Sequence, residues 1–191
     1  VHKGGAVFDR ERLEWLNGQW IRRLEPDDLI DRLRPFVAAE LAAGRIDRMP
    51  SDDELRSLLP VISERLPTLG AIGDLVGFLW VRDLSYDRAL LVPKRWDVAT
   101  TREGLGAARA TIVETGAVSF EADELEPPLR ALAERRGWKA GDLFMAIRVA
   151  VTGRTATPPL FDTLVALGQE RTIERLDRAI AILDEAAPTV R

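Results

Sequence analysis

The chain has 191 residues, 46% hydrophobic and 30% charged, the balance of a water-soluble globular protein with room for one domain or two small ones. It has no cysteine and one histidine, His2; this excludes disulfides, thiolate metal sites and cysteine nucleophiles, and a Ser-His-Asp triad or histidine zinc site would rest on one terminal residue. The net charge is -4 and the pI about 5.2, so nucleic-acid contact would have to come from local basic clusters, not from the average.

The pattern is helical nearly throughout. Residues 8–24 set Phe8, Leu13, Leu16, Trp20 and Leu24 on one helical face, with Asp9 as N-cap. A second helix runs from Pro26 to about Ala43, with proline at a first position and Gly44 at the stop. Ser51 and Glu54 form a capping box that opens a third helix, in which Pro60 is a kink point. A short apolar helix over 68–80 contains Gly70, Gly73 and Gly77, and residues 81–99 read as a connection, with brief strand alternation at 88–92.

Thr100 and Glu103 offer a second capping box for a helix over 100–115, ended by Gly116. Helices follow at 121–136, 141–151, 158–167 and 169–185, separated by Gly137, Gly153 and Gly168. The last carries Ile173, Leu176, Ile180 and Leu183 on one face and the Glu174/Arg178 pair on another. The expected fold class is all-α: two helical subdomains, 1–82 and 83–191. No apolar run approaches the roughly 20 residues that span a bilayer and no signal segment opens the chain, so a membrane is not an expected partner. The start at Val1, without Met, suggests either processing or a cut from a longer protein, with the cut the favoured reading.

Candidate chemistry is sparse. The glycines from Gly70 to Gly77 fit neither the dinucleotide fingerprint nor the phosphate loop, and no strand precedes them; close helix packing explains them better. The same holds for Gly104 and Gly106. The acidic pairs Asp27-Asp28, Asp52-Asp53 and Asp123-Glu124 stand at helix starts, where carboxylates favour the dipole, so capping is a better reading than a two-carboxylate hydrolase. Basic residues gather as Arg130, Arg135, Arg136, Lys139, Arg148 and Arg154, with Trp96 and Trp138 beside basic neighbours as a stacking platform would need. From chemistry alone this is a helical protein with possible RNA-binding surfaces.

Three segments carry a resemblance. Val7-Phe8-Asp9 followed by Leu13-Glu14-Trp15-Leu16-Asn17-Gly18-Gln19-Trp20-Ile21-Arg22 resembles the segment after the catalytic portion of bacterial-type glutamyl-tRNA synthetases, with Trp20 in place of the usual tyrosine. Glu64-Arg65-Leu66-Pro67-Thr68-Leu69 is similar to the family's "R..TL" segment. Arg148-Val149-Ala150-Val151-Thr152-Gly153, then Thr157-Pro158-Pro159-Leu160-Phe161-Asp162 and Leu167-Gly168-Gln169-Glu170, is similar to the family's C-terminal ending in order and spacing. The family's ATP-binding motifs are absent.

The resemblance implies the anticodon-binding C-terminal region of a glutamate–tRNA ligase, inactive on its own. It implies no catalytic residue, metal or cofactor in this chain; ATP and Mg²⁺ would act in the missing catalytic domain. The implied partner is glutamate tRNA, the location cytoplasmic and the state monomeric. Arg65 would read the third anticodon base and discriminate against glutamine tRNA. Arg148 would bind anticodon bases or phosphate, Thr157 would donate to a base, and Pro158 and Leu160 would form apolar walls. The Thr157-Pro158-Pro159 run is also an N-cap with prolines at first positions. Arg130 is a further anticodon candidate; Asn17, Gln19 and Arg22 would touch the tRNA body. The competing reading is a non-catalytic helical protein-interaction domain with exposed apolar helix faces.

Overall fold

The computed structural model describes residues 9–85 and 87–185, and every regular element among them is helical. The chain divides into two compact units after Trp80. In the first, α1 (Arg10–Ile21) starts where Asp9 accepts from the Arg12 N–H. α2 (Pro26–Ala42) has proline at its first position and ends before Gly44, whose φ of 67° is the left-handed conformation that closes a helix without a Cβ penalty. α3 (Asp52–Ile62) opens with the expected capping box, both halves formed. Pro60 removes one donor from its last turn, and the helix tightens after Ile62 into a 3₁₀ turn, Ser63–Arg65.

The apolar segment after Thr68 is not one helix. It is a 3₁₀ turn (Leu69–Ala71), a short α4 (Ile72–Val76) and another 3₁₀ turn (Gly77–Trp80). Of its three glycines only Gly73 is closely packed: a Cβ there would fall inside the Glu40 side chain, whereas those at Gly70 and Gly77 would meet Phe36 and Ile46 at 3.5 Å, an ordinary van der Waals contact. The core of this unit holds Leu29, Ile30, Leu33 and Val37 of α2 with Leu55, Leu58 and Ile62 of α3. α1 departs from expectation. Leu13, Leu16 and Trp20 are 50%, 42% and 67% exposed, while Gly18 and Ile21 are buried. Phe8 lies outside the described residues.

In the second unit, the strand suggested at 88–92 is a 3₁₀ turn, Arg88–Leu91, begun by Asp87 accepting from the Ala89 N–H. α5 (Val98–Gly116) starts two residues earlier than expected: Asp97, not Thr100, is the N-cap and accepts from the Thr100 N–H at 2.7 Å. A carboxylate so placed outcompetes a hydroxyl for the free N–H groups of the first turn. α6 (Ala122–Arg135), α7 (Ala140–Thr152), α8 (Leu160–Leu167) and α9 (Gln169–Asp184) follow. α7 touches α5, α6, α8 and α9 and buries Leu143, Ala146, Ile147, Val149, Ala150 and Val151. Gly104 of α5 sits against Trp96: a Cβ there would lie 2.6 Å from the indole ring.

Glu54 makes α3 acid-sensitive. The Arg48 guanidinium, hydrogen-bonded to its carboxylate, and then the Ser51 N–H hold its pKa down to about 2 against a burial penalty. A carboxylate whose pKa is lower when folded contributes stability above its unfolded value, and that contribution is lost as pH falls. We therefore expect the Glu54 contribution to be complete above pH 4.5 and to vanish as pH drops towards 2. The pair is partly solvent-exposed, so the effect is on the order of 1 kcal/mol. Urea unfolding of Glu54→Gln against pH checks this: the variant should lose stability at pH 7 and match the parent at pH 2.

Candidate nucleic-acid interface

The expected RNA-contacting residues fall into two groups, one in each unit. In the first unit, the Leu16-Asn17-Gly18 and Glu64–Leu69 segments, some fifty residues apart, meet. Asn17 donates its side-chain N–H to the Pro67 carbonyl at 2.8 Å, and Arg22 reaches the Glu64 carbonyl at 3.4 Å. Gly18 is buried between them: a Cβ there would stand 3.4 Å from the Leu66 carbonyl. Arg22 and Arg65 line one open cleft of about 190 Å³ with Glu14, Trp15 and Pro67. Arg65 is exposed and donates to the Val61 carbonyl at 2.9 Å. No carboxylate among the described residues pairs with it, so the surface ion pair that would explain it otherwise is not formed there. Gln19 is half-buried beside this group.

In the second unit, α7 ends at Gly153, whose φ of 71° lets its N–H bond the Val149 carbonyl at 2.8 Å. Thr152 donates to the Arg148 carbonyl at 2.7 Å and accepts from the Arg154 N–H at 3.1 Å. This corner turns the chain back so that Thr157 meets α7. Arg148 Nε donates to Thr157 Oγ1 at 3.1 Å, and that hydroxyl donates to the Pro158 carbonyl at 2.9 Å. Arg148 and Thr157, nine residues apart, thus form one hydrogen-bonded unit.

Thr157 is not the N-cap of α8. Pro159 holds that position, and no side chain caps the helix. With its hydroxyl held between Arg148 and Pro158, Thr157 has nothing left for capping. Pro158 and Leu160 are buried, so they support the loop from beneath; Pro159 is the exposed one.

The Arg148 guanidinium is half-buried, and burial lowers its pKa from the ordinary value. No carboxylate among the described residues pairs with it, and its two terminal amino groups have no protein acceptor there. By contrast, Arg34, Arg45, Arg48, Arg56, Arg95, Arg102, Arg109, Arg130, Arg136 and Arg178 are paired with carboxylates. Burying a charge without a partner is unfavourable unless something else supplies the acceptors. Arg130 is paired with Glu126, and its guanidinium lies 5.5 Å from the Phe144 ring centre. Phe144 meets Phe161 edge to face at 5.2 Å. The sequence reading missed both phenylalanines. Their signal was spacing: Phe144 precedes Arg148 by one helical turn, and Phe161 follows Leu160.

Trp96 lies against Gly104 of α5. Trp96 and Trp138 pack on each other at 5.1 Å, and Arg136, over Trp138, is paired with Glu103. The acidic pairs stand in the first turns of α2, α3 and α6. Among the described residues no group of three or more His, Asp and Glu side chains is placed to hold a metal ion, and no helix is long and apolar enough to cross a membrane.

Comparison with known proteins places the chain in a family. The anticodon binding domain family matches residues 28–180. The chain is 43% identical to the glutamate–tRNA ligase of Roseiflexus castenholzii over its whole length, which is 37% of that protein. It is 41% identical to the glutamate–tRNA ligase of Chloroflexus aurantiacus over 98% of the chain and 37% of that protein. The crystal structure of a glutamate tRNA ligase from Elizabethkingia meningosepticum, in complex with its amino acid, superposes with a TM-score of 0.75, covering 96% of this chain and 34% of that one; at 23% identity it shows the fold. The chain therefore spans little more than a third of the curated relatives it matches. It belongs to the anticodon binding domain family and is homologous to the anticodon-binding region of glutamate–tRNA ligases.

Proposed function

We propose that this chain binds the anticodon loop of glutamate tRNA and thereby selects the tRNA for a ligase that joins glutamate to it. The observation that carries this is Arg148. A half-buried guanidinium, fixed by Thr157 at one nitrogen and lacking a protein acceptor at the other two among the described residues, is preorganised to donate to a base edge or a phosphate. Unstacked loop bases are the usual targets of sequence-specific RNA readers, because their edges are free. Thr157 orients the guanidinium, and the uncapped N-terminus of α8 beside it favours an anion. Arg65, exposed and without a carboxylate partner among the described residues, serves as a second reader and favours the glutamate over the glutamine anticodon. Asn17, Gln19 and Arg22 contact the tRNA body, and Arg130 supports the anticodon site. In the ligase as a whole, ATP and Mg²⁺ serve the part of the enzyme beyond this chain. The working form is a cytoplasmic monomer.

The test uses hairpin RNAs of the glutamate and glutamine anticodon arms and one with a scrambled anticodon. Fluorescence anisotropy at fixed salt should show preference for the glutamate arm and weaker binding as salt rises. Equal affinity for all three would overturn the reading.

A second reading has its own observation. Trp20 is 67% exposed on α1, with Leu13 and Leu16 on the same side of the helix at 50% and 42%. Such a face suits a protein-interaction domain. Binding to a protein with indifference to RNA would favour it.

A further inference from the structure

Arg148 accounts for hydrogen bonds to a base or phosphate, but not for what would hold a base flat against the protein. The residues around it supply that. Phe144 stands one turn before Arg148 on α7, so both project from one face of the helix. Phe161, the second residue of α8, follows the loop that carries Thr157. The two rings meet at 5.2 Å and 87°, and the Arg130 guanidinium, steadied by Glu126, lies 5.5 Å from the Phe144 centre. Three helices thus contribute to one short column of π and cationic groups.

Burial separates these rings from the core. Leu143, Ala146 and Ile147 on α7 and Leu160 and Leu164 on α8 are buried, whereas Phe144 and Phe161 are only partly so. Large apolar rings are left partly open to solvent, and Phe144 stands one turn from a guanidinium whose two terminal amino groups lack protein acceptors among the described residues. An unstacked nucleobase answers both features, since its face needs an aromatic surface and its edge needs donors. A peptide carboxylate would satisfy Arg148 and leave the rings unused; an aliphatic side chain would do the reverse.

We propose that Phe144 and Phe161, with Arg130 behind them, are the stacking floor for one unstacked base whose edge Arg148 holds. Phe161 is the residue that meets the base, because Phe144 already has Arg130 over its ring. This rests on the anticodon reading above. It adds a contact that is indifferent to base identity and insensitive to salt, in contrast to the donors of Arg148.

The experiment uses the 191-residue chain and the glutamate anticodon hairpin carrying 2-aminopurine at each of the three anticodon positions in turn. Stacking on an aromatic ring changes 2-aminopurine emission. With the parent chain, emission should change on binding at one of the three positions. Phe161→Leu should abolish that change and weaken binding about tenfold, with an unaltered slope of log affinity against log salt. Phe161→Tyr should restore both. If the parent chain binds the hairpin but no position changes emission, or if Phe161→Leu binds and responds like the parent, the stacking floor is wrong and the anticodon reading stands. If the parent chain does not prefer the hairpin over a scrambled one, the anticodon reading fails and the stacking floor falls with it. Should Phe161→Leu not fold, the parent emission and the Phe161→Tyr variant decide the matter.

Discussion

Arg148→Ala is expected to weaken binding of the glutamate anticodon hairpin by one to two orders of magnitude while leaving the chain as stable as before, or slightly more so. A good arginine–base contact carries about 1–3 kcal/mol of discrimination, and tenfold in affinity is about 1.4 kcal/mol. The stability half of the expectation follows from what Arg148 does in the free protein. Its side chain makes one hydrogen bond, to the Thr157 hydroxyl, and is partly desolvated with no counter-charge among the described residues. Removing it relieves that desolvation and leaves Thr157 still bonded to Pro158. A residue kept for folding would show the opposite pattern. Arg148→Lys should not restore full affinity, because an ammonium keeps the charge but loses the planar fork. Anisotropy titrations and urea unfolding on the same samples check both halves. Undiminished affinity for the alanine variant would remove Arg148 from the site.

Arg175→Ala should have the largest effect on folding, a loss of about 2–5 kcal/mol from lost hydrogen bonds and the cavity left behind. Arg175 is 5% exposed on α9. It donates to the Val151 carbonyl at 2.5 Å and to the Val81 carbonyl at 2.7 Å. Arg171, one turn earlier, also donates to Val81, at 2.9 Å. Val81 lies in the non-helical stretch that opens the second unit, and Val151 in the last turn of α7, where carbonyls lack helical partners. Arg175 therefore satisfies backbone acceptors that no regular element reaches. A hydrophobic replacement would fill the space but leave these carbonyls unpaired, so Arg175→Met should also destabilise. The control is Arg178→Ala, half-exposed and paired with Asp83, which should change stability by less than about 1 kcal/mol. Chemical denaturation of the three variants separates these outcomes.

The legible parts of this fold were those governed by neighbours in sequence. Asp9, the Ser51/Glu54 box, Pro26 and the glycines 44, 137, 153 and 168 mark helix ends because caps and left-handed backbone are local matters. Local rules also erred where two of them competed. Asp97 displaced Thr100 as the cap of α5, and Thr157 gave up capping for a bond with Arg148. The α1 face was misread for a different reason. Helical spacing says that Leu13, Leu16 and Trp20 share a side, but not which side meets the core, and here Gly18 and Ile21 do. Arg148 and Thr157 were legible as candidates through resemblance. Arg175 was not, since a basic residue on an amphipathic helix gives no sign of burial.

The sequence by itself determined an all-helical chain, most of its helix ends, and the residue types of the proposed RNA-reading surface. Helix capping, backbone handedness and hydrophobic period act over a few residues, so they are written in the order of the letters. Tertiary structure decided which arginines are neutralised and which are left with donors to offer. Arg130 and Arg148 look alike in sequence; one finds Glu126 and a phenylalanine ring, the other only a hydroxyl. That difference depends on side chains brought together by packing, and pairing over such distances is a property of the fold.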